Sequence, residues 1–393
     1  MVPNFGVRYE VPPVDPMDLP EQLRPAVEAE RDEADSLRTL PAKLLDELRG
    51  SGVFRLYTPH ELGGFELPLA AGLEVLEELG RIDGPVAWTV WNANLGLLGA
   101  MLPDSGVAKI WADGPDPVIV SSSRPSAMAR PAEGGFVLAG RWDMVSGLDS
   151  ADWASLFAVV ADDEGPSITP AGHPDLRLFC VPRADFTVED TWGVAAMRGS
   201  GSNTALLDEV FVPADLCGTI WSPPTIDRPL YRVPSFCVVA SGGAAVVLGM
   251  AQAALDEIVR LAPGKATPEG STVAQRYPVQ ATVGRVGAEL RAARLLLRAA
   301  AADLDRAATE REPISVALRG SLREAMSLAN KVSREALVAI HELGGSSSLY
   351  LEQRLEHIVR DGLAATQHAN LAGAHFALGG RIRLGLEPGD FVF

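Results

Sequence analysis

At 393 residues, with 47% hydrophobic and 22% charged side chains, the chain has the length and composition of an ordinary globular protein of two or three domains. Its 51 acidic against 34 basic side chains leave a net charge of −17, which repels phosphate backbones and argues against nucleic acid as a partner. Cys180, Cys217 and Cys237 are few, odd in number and form no CxxC pair, which argues against a disulfide framework or a zinc knuckle.

In chain order, the N-terminal MVPNFGVRYE has no basic segment followed by an apolar core, so a cytoplasmic location is expected. Residues 1–115 read as a helical domain. Pro41 starts a helix carrying Leu44, Leu45 and Leu48, which Gly50 should stop. A second runs from Leu69 to Gly80, and Asp83 caps a third that carries Trp88, Trp91, Leu95 and Leu98. Residues 116–222 hold short β-rich runs at Val118 to Ser123, Phe136, Ser155, Leu176 and Ala205, separated by Gly, Pro and Asp clusters. That pattern predicts an antiparallel, barrel-like sheet domain.

A proline-rich connector from Ser222 to Pro234 follows, and residues 233–393 read as a domain of four long helices over 238–262, 273–309, 313–343 and 350–375. Short joints between them predict an antiparallel four-helix bundle. The fold class expected is thus mainly α with a central β domain. Val233 to Leu255 carries no charge over 23 residues, long enough to span a bilayer. Its density of Gly, Ala and Ser instead suits a helix packed on all sides, and no membrane partner is expected.

Candidate chemistry is sparse. No HxxH, HExxH, GxGxxG or Walker pattern occurs. His357, Asp361, His368 and His375 would share one face of a continuous helix, but over ~27 Å of axis, too far apart to hold a metal. Such a polar face lines either a cavity or a subunit contact. Arg198 to Thr204, RGSGSNT, reads as a hairpin turn or as a loop around a phosphate or ring edge. Ser121 to Ser123 would end a strand. Gly140 to Trp153, GRWDMVSGLDSADW, sets Met144 and Ser146 between two tryptophans, which suits a flat heteroaromatic ligand or simply a buried hairpin.

Seven segments in order carry a resemblance to a known family: YTPHELGG (Tyr57 to Gly64), GGFVLAGRWDMVSG (Gly134 to Gly147), TWGVAAMRGSGSNTALLDEVFVPAD (Thr191 to Asp215), LGMAQAAL (Leu248 to Leu255), ELGGSSSLY (Glu342 to Tyr350), VRDGLAATQH (Val359 to His368) and GLEPGD (Gly385 to Asp390). Together they resemble the acyl-CoA dehydrogenase superfamily, and more closely its reduced-flavin-dependent, two-component (group D) monooxygenase branch. The branch turns on absent carboxylates. Dehydrogenases of the superfamily need a Glu base, at one of two locations, to take the substrate α-proton. Here Ala369 falls at one and Val239 near the other, with no Asp or Glu between Asp227 and Asp256.

The resemblance implies that Ser146 contacts flavin near N5 and that His368 faces C4a, where reduced flavin and dioxygen form a hydroperoxide that hydroxylates a small aromatic or polycyclic molecule. His368 could also move a proton. It implies flavin contacts from Ser121, Ser123, Met144, Arg198, Ser200, Ser202, Gly344 and Gly345, and a substrate lining of Trp88, Trp91 and His368. FADH2 or FMNH2 would be the cofactor, with O2 as co-substrate, a separate flavin reductase as partner and a homotetramer as the assembly. One rival is an FAD-dependent acyl-thioester dehydrogenase or oxidase. Another is a flavin-free relative that only binds a ligand or a partner protein.

Overall fold

The computed structural model describes residues 5–389 apart from 171, 220–222 and 269. Ser222, where the expected connector starts, and Asp390, the last residue of the GLEPGD segment, lie outside the described residues.

Five helices come first: α1 (Leu19–Leu37), α2 (Ala42–Ser51), α3 (Leu69–Ile82), α4 (Gly84–Ala93) and α5 (Asp104–Ile110). The expected starts hold because they are set by local chemistry. Pro41 immediately precedes α2, and Asp83 caps α4 by accepting a hydrogen bond from Val86 N at 3.0 Å. The third helix is shorter than expected: α4 stops at Ala93, and Leu98 sits in a separate 3-10 turn, Gly96–Ala100.

Among the described residues eight strands follow: β1 (Ile119–Ala132), β2 (Gly135–Val145), β3 (Trp153–Asp162), β4 (Gly165–Pro166), β5 (Leu176–Pro182), β6 (Thr187–Glu189), β7 (Asn203–Pro213) and β8 (Cys217–Gly218). They make one sheet in the order β6-β7-β2-β1-β3-β5-β8, with β4 paired to β3 at the side. The expectation of a purely antiparallel sheet is corrected here. β1 and β3 run parallel, with Ser121 opposite Ser155. Ser121 to Ser123 lie inside β1 rather than at its end. The 3-10 turn Leu148–Ser150 leads from β2 into β3, which settles beside β1 rather than β2. The ladder order is an open path rather than a closed barrel.

The remaining helices are α6 (Pro229–Arg232), α7 (Ser235–Leu261), α8 (Tyr277–Thr309), α9 (Val316–Gly344), α10 (Arg354–Ala365) and α11 (His375–Arg383). One contiguous core joins Leu73 and Leu76 of α3, Trp142 and Phe179 of the sheet, and Val246 and Leu337 of the bundle. The uncharged stretch of α7 is long and apolar enough to cross a membrane, yet 89% of its most apolar window is buried within the protein. The reason is close helix packing. A Cβ at Gly249 would stand 2.0 Å from the Glu77 carbonyl oxygen, and one at Gly80 2.6 Å from that of Val246. Backbone cannot give way as a flexible side chain can. Gly249→Ala is therefore expected to cost roughly 1–3 kcal/mol of stability, read as a lowered denaturation midpoint with an unchanged slope.

The largest departure is the fourth bundle helix. It does not run continuously from 350 to 375. α10 ends at Ala365, His368 caps a 3-10 turn at Ala369–Leu371, and α11 begins at His375. The break is held from α9, whose buried Asn330 donates to the carbonyls of Thr366 (3.1 Å) and Leu371 (3.0 Å). Ser327 donates to that of Ala372 at 2.9 Å. Carbonyls freed by the break are thus satisfied without water.

Candidate active site

The ladder between β2 and β7 builds the first half of the site. Val145 pairs with Asn203 across the antiparallel strands, so the residue after one and the residue before the other face each other. These are Ser146 and Ser202, with hydroxyls 2.9 Å apart. Ser202 meets Ser200 at 2.8 Å, and Ser200 donates to the Met197 carbonyl at 2.8 Å. All three serines are buried. A bulge just before the pairing places Met144 at φ 60°, in the left-handed region, and Gly147 follows at φ 78°. A Cβ on Gly147 would lie 3.0 Å from Thr89 Cγ2 of α4. The Gly147 N–H donates to the Ser200 carbonyl at 2.7 Å, tying the turn to the RGSGSNT loop.

That loop is itself braced. Asn203 Oδ1 accepts from the backbone N–H groups of Thr191 (3.0 Å) and Trp192 (2.9 Å), while its Nδ2 donates to Asp149 at 2.8 Å. Met197 is held at φ 55°. Its N–H donates to Asp361 Oδ1 of α10 at 2.6 Å. Burial raises the Asp361 carboxyl to about 6, against the pull of that hydrogen bond and of Arg360.

The second half centres on His368. Trp88 and Trp91, three residues apart on α4, stand edge-on to its ring with centroids 5.4 Å away in each case, and 4.7 Å from each other. Trp91 Nε1 donates to the Val239 carbonyl at 2.7 Å, and its ring lies on Gly242 and Gly243 of α7. Stripped of water by these neighbours, the imidazole has its pKa lowered to about 4. It is neutral near pH 7. Because Nδ1 accepts from Asn370 N at 3.3 Å, the hydrogen resides on Nε2, which bonds to none of the described residues. At neutral pH the ring can therefore offer an N–H.

The sign of the pH effect follows. The unfolded imidazole takes its proton near 6.5 and the folded one only near 4. Its contribution to stability is therefore full above pH ~6.5 and lost as the pH falls towards 4. Asp361 acts oppositely, because its pKa is raised: its contribution is full below the ordinary carboxyl value and is lost as the pH rises through about 6. The C2–H resonance of His368 is expected to stay fixed between pH 8 and 5.5. A midpoint near the ordinary imidazole value would contradict its burial.

Sequence reasoning grouped some of these residues well and others poorly. Ser146, Ser200 and Ser202 come together, as do Trp88, Trp91 and His368. α4 is the common neighbour, with Thr89 towards Gly147 and the two indoles towards His368. Ser121 donates to the Ser155 carbonyl at 3.0 Å, while Ser123 and Met144 are exposed. Arg198 is occupied, donating to the carbonyls of Asp35 (2.8 Å) and Val194 (3.1 Å) and pairing with the Asp35 carboxylate. Gly344 and Gly345 lie at the end of α9, where Lys265 donates to the Gly344 carbonyl.

The single polar face proposed for His357, Asp361, His368 and His375 does not exist, because the helix breaks between the second and third. His357 and Asp361 instead line a charged cleft with Arg31, Asp35, Asp83 and Arg354, and His375 reaches the Ala369 carbonyl. Two anchoring features escaped sequence reasoning, the Met197 backbone and the bond it makes to Asp361.

Two family models match the chain and together cover more than half of it. One is described as the acyl-CoA dehydrogenase N-terminal domain, over residues 20–108. The other is the acyl-CoA dehydrogenase C-terminal domain, over 241–372. Indole-3-acetate monooxygenase of Pseudomonas putida is 28% identical over 91% of this chain and 90% of its own. The oxygenase component of FADH2-dependent resorcinol hydroxylase from Rhizobium sp. (strain MTP-10005) is 29% identical over the same shares, 91% and 90%. Among solved structures, XiaF from Streptomyces sp. in complex with FADH2 and glycerol superposes with a TM-score of 0.87 and 26% identity, covering 96% of this chain and 98% of that one.

Proposed function

The chain belongs to the acyl-CoA dehydrogenase superfamily, and we propose that it is the oxygenase component of a two-component flavin-dependent monooxygenase. It takes reduced FAD or FMN from a separate reductase and hydroxylates a small aromatic or polycyclic molecule. One observation carries the reading: a buried Ser146 hydroxyl and a neutral His368 flank α4, with no carboxylate at Ala369 or at Val239. A thioester dehydrogenase needs such a base; a hydroxylase does not. Support also comes from the relatives, which are named as monooxygenases and hydroxylases, one of them FADH2-dependent and an oxygenase component.

The donor set fits a reduced flavin ring. Ser146 offers a hydroxyl beside a glycine whose Cβ would collide with α4. His368 offers an N–H with no bond to the described residues, from a ring packed against two indoles. Bound reduced flavin supplies two electrons to dioxygen, one atom of which enters the substrate while the other leaves as water. The protein's own residues do the rest. Ser146 bonds the ring edge, His368 Nε2–H stabilises negative charge developing on oxygen, and Trp88 and Trp91 exclude water and line the substrate space. Met144, exposed two residues before Ser146, and the exposed Ser123 of β1 complete the ring contacts, with Ser121, Arg198, Gly344 and Gly345 as further candidates.

A homotetramer in the cytoplasm is part of the proposal. The single chain leaves Leu295 and Leu296 of α8, and Tyr350, Leu351 and Leu384, exposed to solvent. Sedimentation velocity tests the assembly, a monomer being the contrary result. The function is tested by supplying reduced flavin through a reductase, with 18O2 and a panel of phenols, indoles and fused-ring aromatics. One 18O atom per product molecule is expected. Dehydrogenation of an acyl-CoA without oxygen incorporation would establish the rival activity.

A further inference from the structure

Asp361 joins the two halves of the candidate site. It lies on α10, whose last residue, Ala365, comes three positions before His368. Only ~6 Å of helix axis separates Asp361 from that end. Its Oδ1 accepts the Met197 N–H at 2.6 Å, which is the one hydrogen bond between α10 and the turn at Arg198–Ser200 among the described residues. One helix thus carries His368 just past its end and holds the loop that bears Ser200 and Ser202.

The loop needs holding. Met197 stands at φ 55°, a conformation that a residue with a side chain keeps only where its surroundings impose it. Its carbonyl accepts from Ser200 N and Trp192 Nε1, both at 3.1 Å, and from Ser200 Oγ at 2.8 Å. Those bonds shape the turn from within, and the Asp361 bond fixes it to the rest of the protein.

The carboxylate is 5% exposed and lines the charged cleft. The other two carboxylates there have cations of their own. Asp83, at the α3–α4 joint, takes Arg31 of α1 at 3.1 Å, and Asp35 of α1 takes Arg360 at 2.9 Å and Arg198 at 3.3 Å. Arg354 of α10 pairs with Glu28 at 3.7 Å, and His357 accepts from Arg360 and donates to the Leu351 carbonyl. From α7, Met250 and Ala253 bring no charge. Asp361 has only a share of Arg360, 3.4 Å away. A proton is therefore its readiest counter-ion, and burial, with Asp83 and Asp35 nearby, raises its pKa to about 6.

We propose that Asp361 is a positioning residue: ionised, it ties the Met197 turn to α10 and sets the serines relative to His368, and protonation from the cleft slackens that tie and weakens flavin binding. The inference rests on the proposed function, in which flavin meets both Ser146 and His368. A hydrogen bond to a charged acceptor is about twice as strong as one to a neutral acceptor, so the proton loosens the turn without releasing it. The sign is opposite to that of the Asp361 contribution to stability. The free protein gains from the proton and the flavin complex from its loss, so flavin affinity is full above about pH 6 and falls below it. By the same linkage, bound flavin lowers the Asp361 pKa.

The test is anaerobic equilibrium dialysis of reduced FMN and FAD against the full chain, wild type and Asp361→Asn, from pH 7.5 to 5. Asparagine keeps an oxygen that accepts from Met197 and takes up no proton, and the flavin's own ionisation cancels in the ratio of the two Kd values. The ratio of wild-type Kd to that of Asp361→Asn is expected to rise roughly three- to tenfold on acidification. In His357→Gln, which removes the cleft's imidazole, the same rise should remain. Asp361→Leu cannot accept from Met197 and should bind flavin about tenfold more weakly than Asp361→Asn at pH 7.5.

A ratio that stays flat with pH, a rise that vanishes in His357→Gln, or an Asp361→Leu variant that binds as tightly as Asp361→Asn overturns the proposal. Wild type that binds no flavin at any pH overturns the reading beneath it as well. Flavin bound alike by wild type and both Asp361 variants removes the Asp361 tie alone.

Discussion

Ser146→Ala is expected to lower the hydroxylated product formed per dioxygen consumed by about tenfold or more, with hydrogen peroxide rising to match. The hydroxyl is buried at the end of the β2–β7 ladder, 2.9 Å from that of Ser202. Its loss removes the contact with Ser202 but no apolar packing, so the fold should survive with a cost of roughly 1–2 kcal/mol. Product by chromatography and peroxide by a coupled assay give the ratio directly. Wild-type coupling in this variant would remove Ser146 from the account.

His368→Ala carries the second large effect, and here two causes must be separated. Truncation opens a void against Trp88 and Trp91, which are only 7% and 6% exposed, and frees Asn370 N from its acceptor. Destabilisation by roughly 2–4 kcal/mol is expected from the void and the lost bond. Product formation should fall by about two orders of magnitude if Nε2–H stabilises charge on oxygen. His368→Gln distinguishes donation from proton transfer, because its amide N–H reaches the position of Nε2 and cannot titrate. Partial recovery with glutamine is expected. Recovery with neither glutamine nor asparagine, together with a wild-type rate that titrates near the ordinary imidazole pKa, would restore the acid–base role.

The features legible in the sequence are those fixed by neighbours along the chain. Pro41 before α2 and Asp83 capping α4 work over one turn of helix, so their effect can be read without knowing the fold. The acyl-CoA dehydrogenase-like plan was legible because seven segments kept their order. What failed was non-local. The partner of β1 depends on a crossover that no residue in β1 announces. The polar stripe assumed a continuous helix, but the break at Thr366–His368 is held by Asn330 and Ser327, some 40 positions earlier in the chain.

The candidate site divides in the same way. Ser146 and His368 were visible only through resemblance, since neither a lone serine nor a lone histidine says what it faces. Their neighbours follow from register and packing: Ser202 from the Val145–Asn203 pair, the indoles from Gly242 and Gly243. Met197 in a left-handed conformation has no sequence signature, because methionine rarely adopts it. Arg198, one of the flavin contacts that the resemblance implies, is bound to Asp35 of α1, a partner 163 positions earlier that no local pattern announces.

The measurement closest to the central claim is the reaction of reduced flavin with dioxygen in the presence of the protein. Mixed anaerobically with reduced FAD or FMN and then aerated, the wild type should bind the flavin and reoxidise it more slowly than free solution does, with peroxide released late. Reoxidation at the rate of free flavin, from a protein that instead holds yellow FAD bleached by an acyl-CoA, would contradict the account.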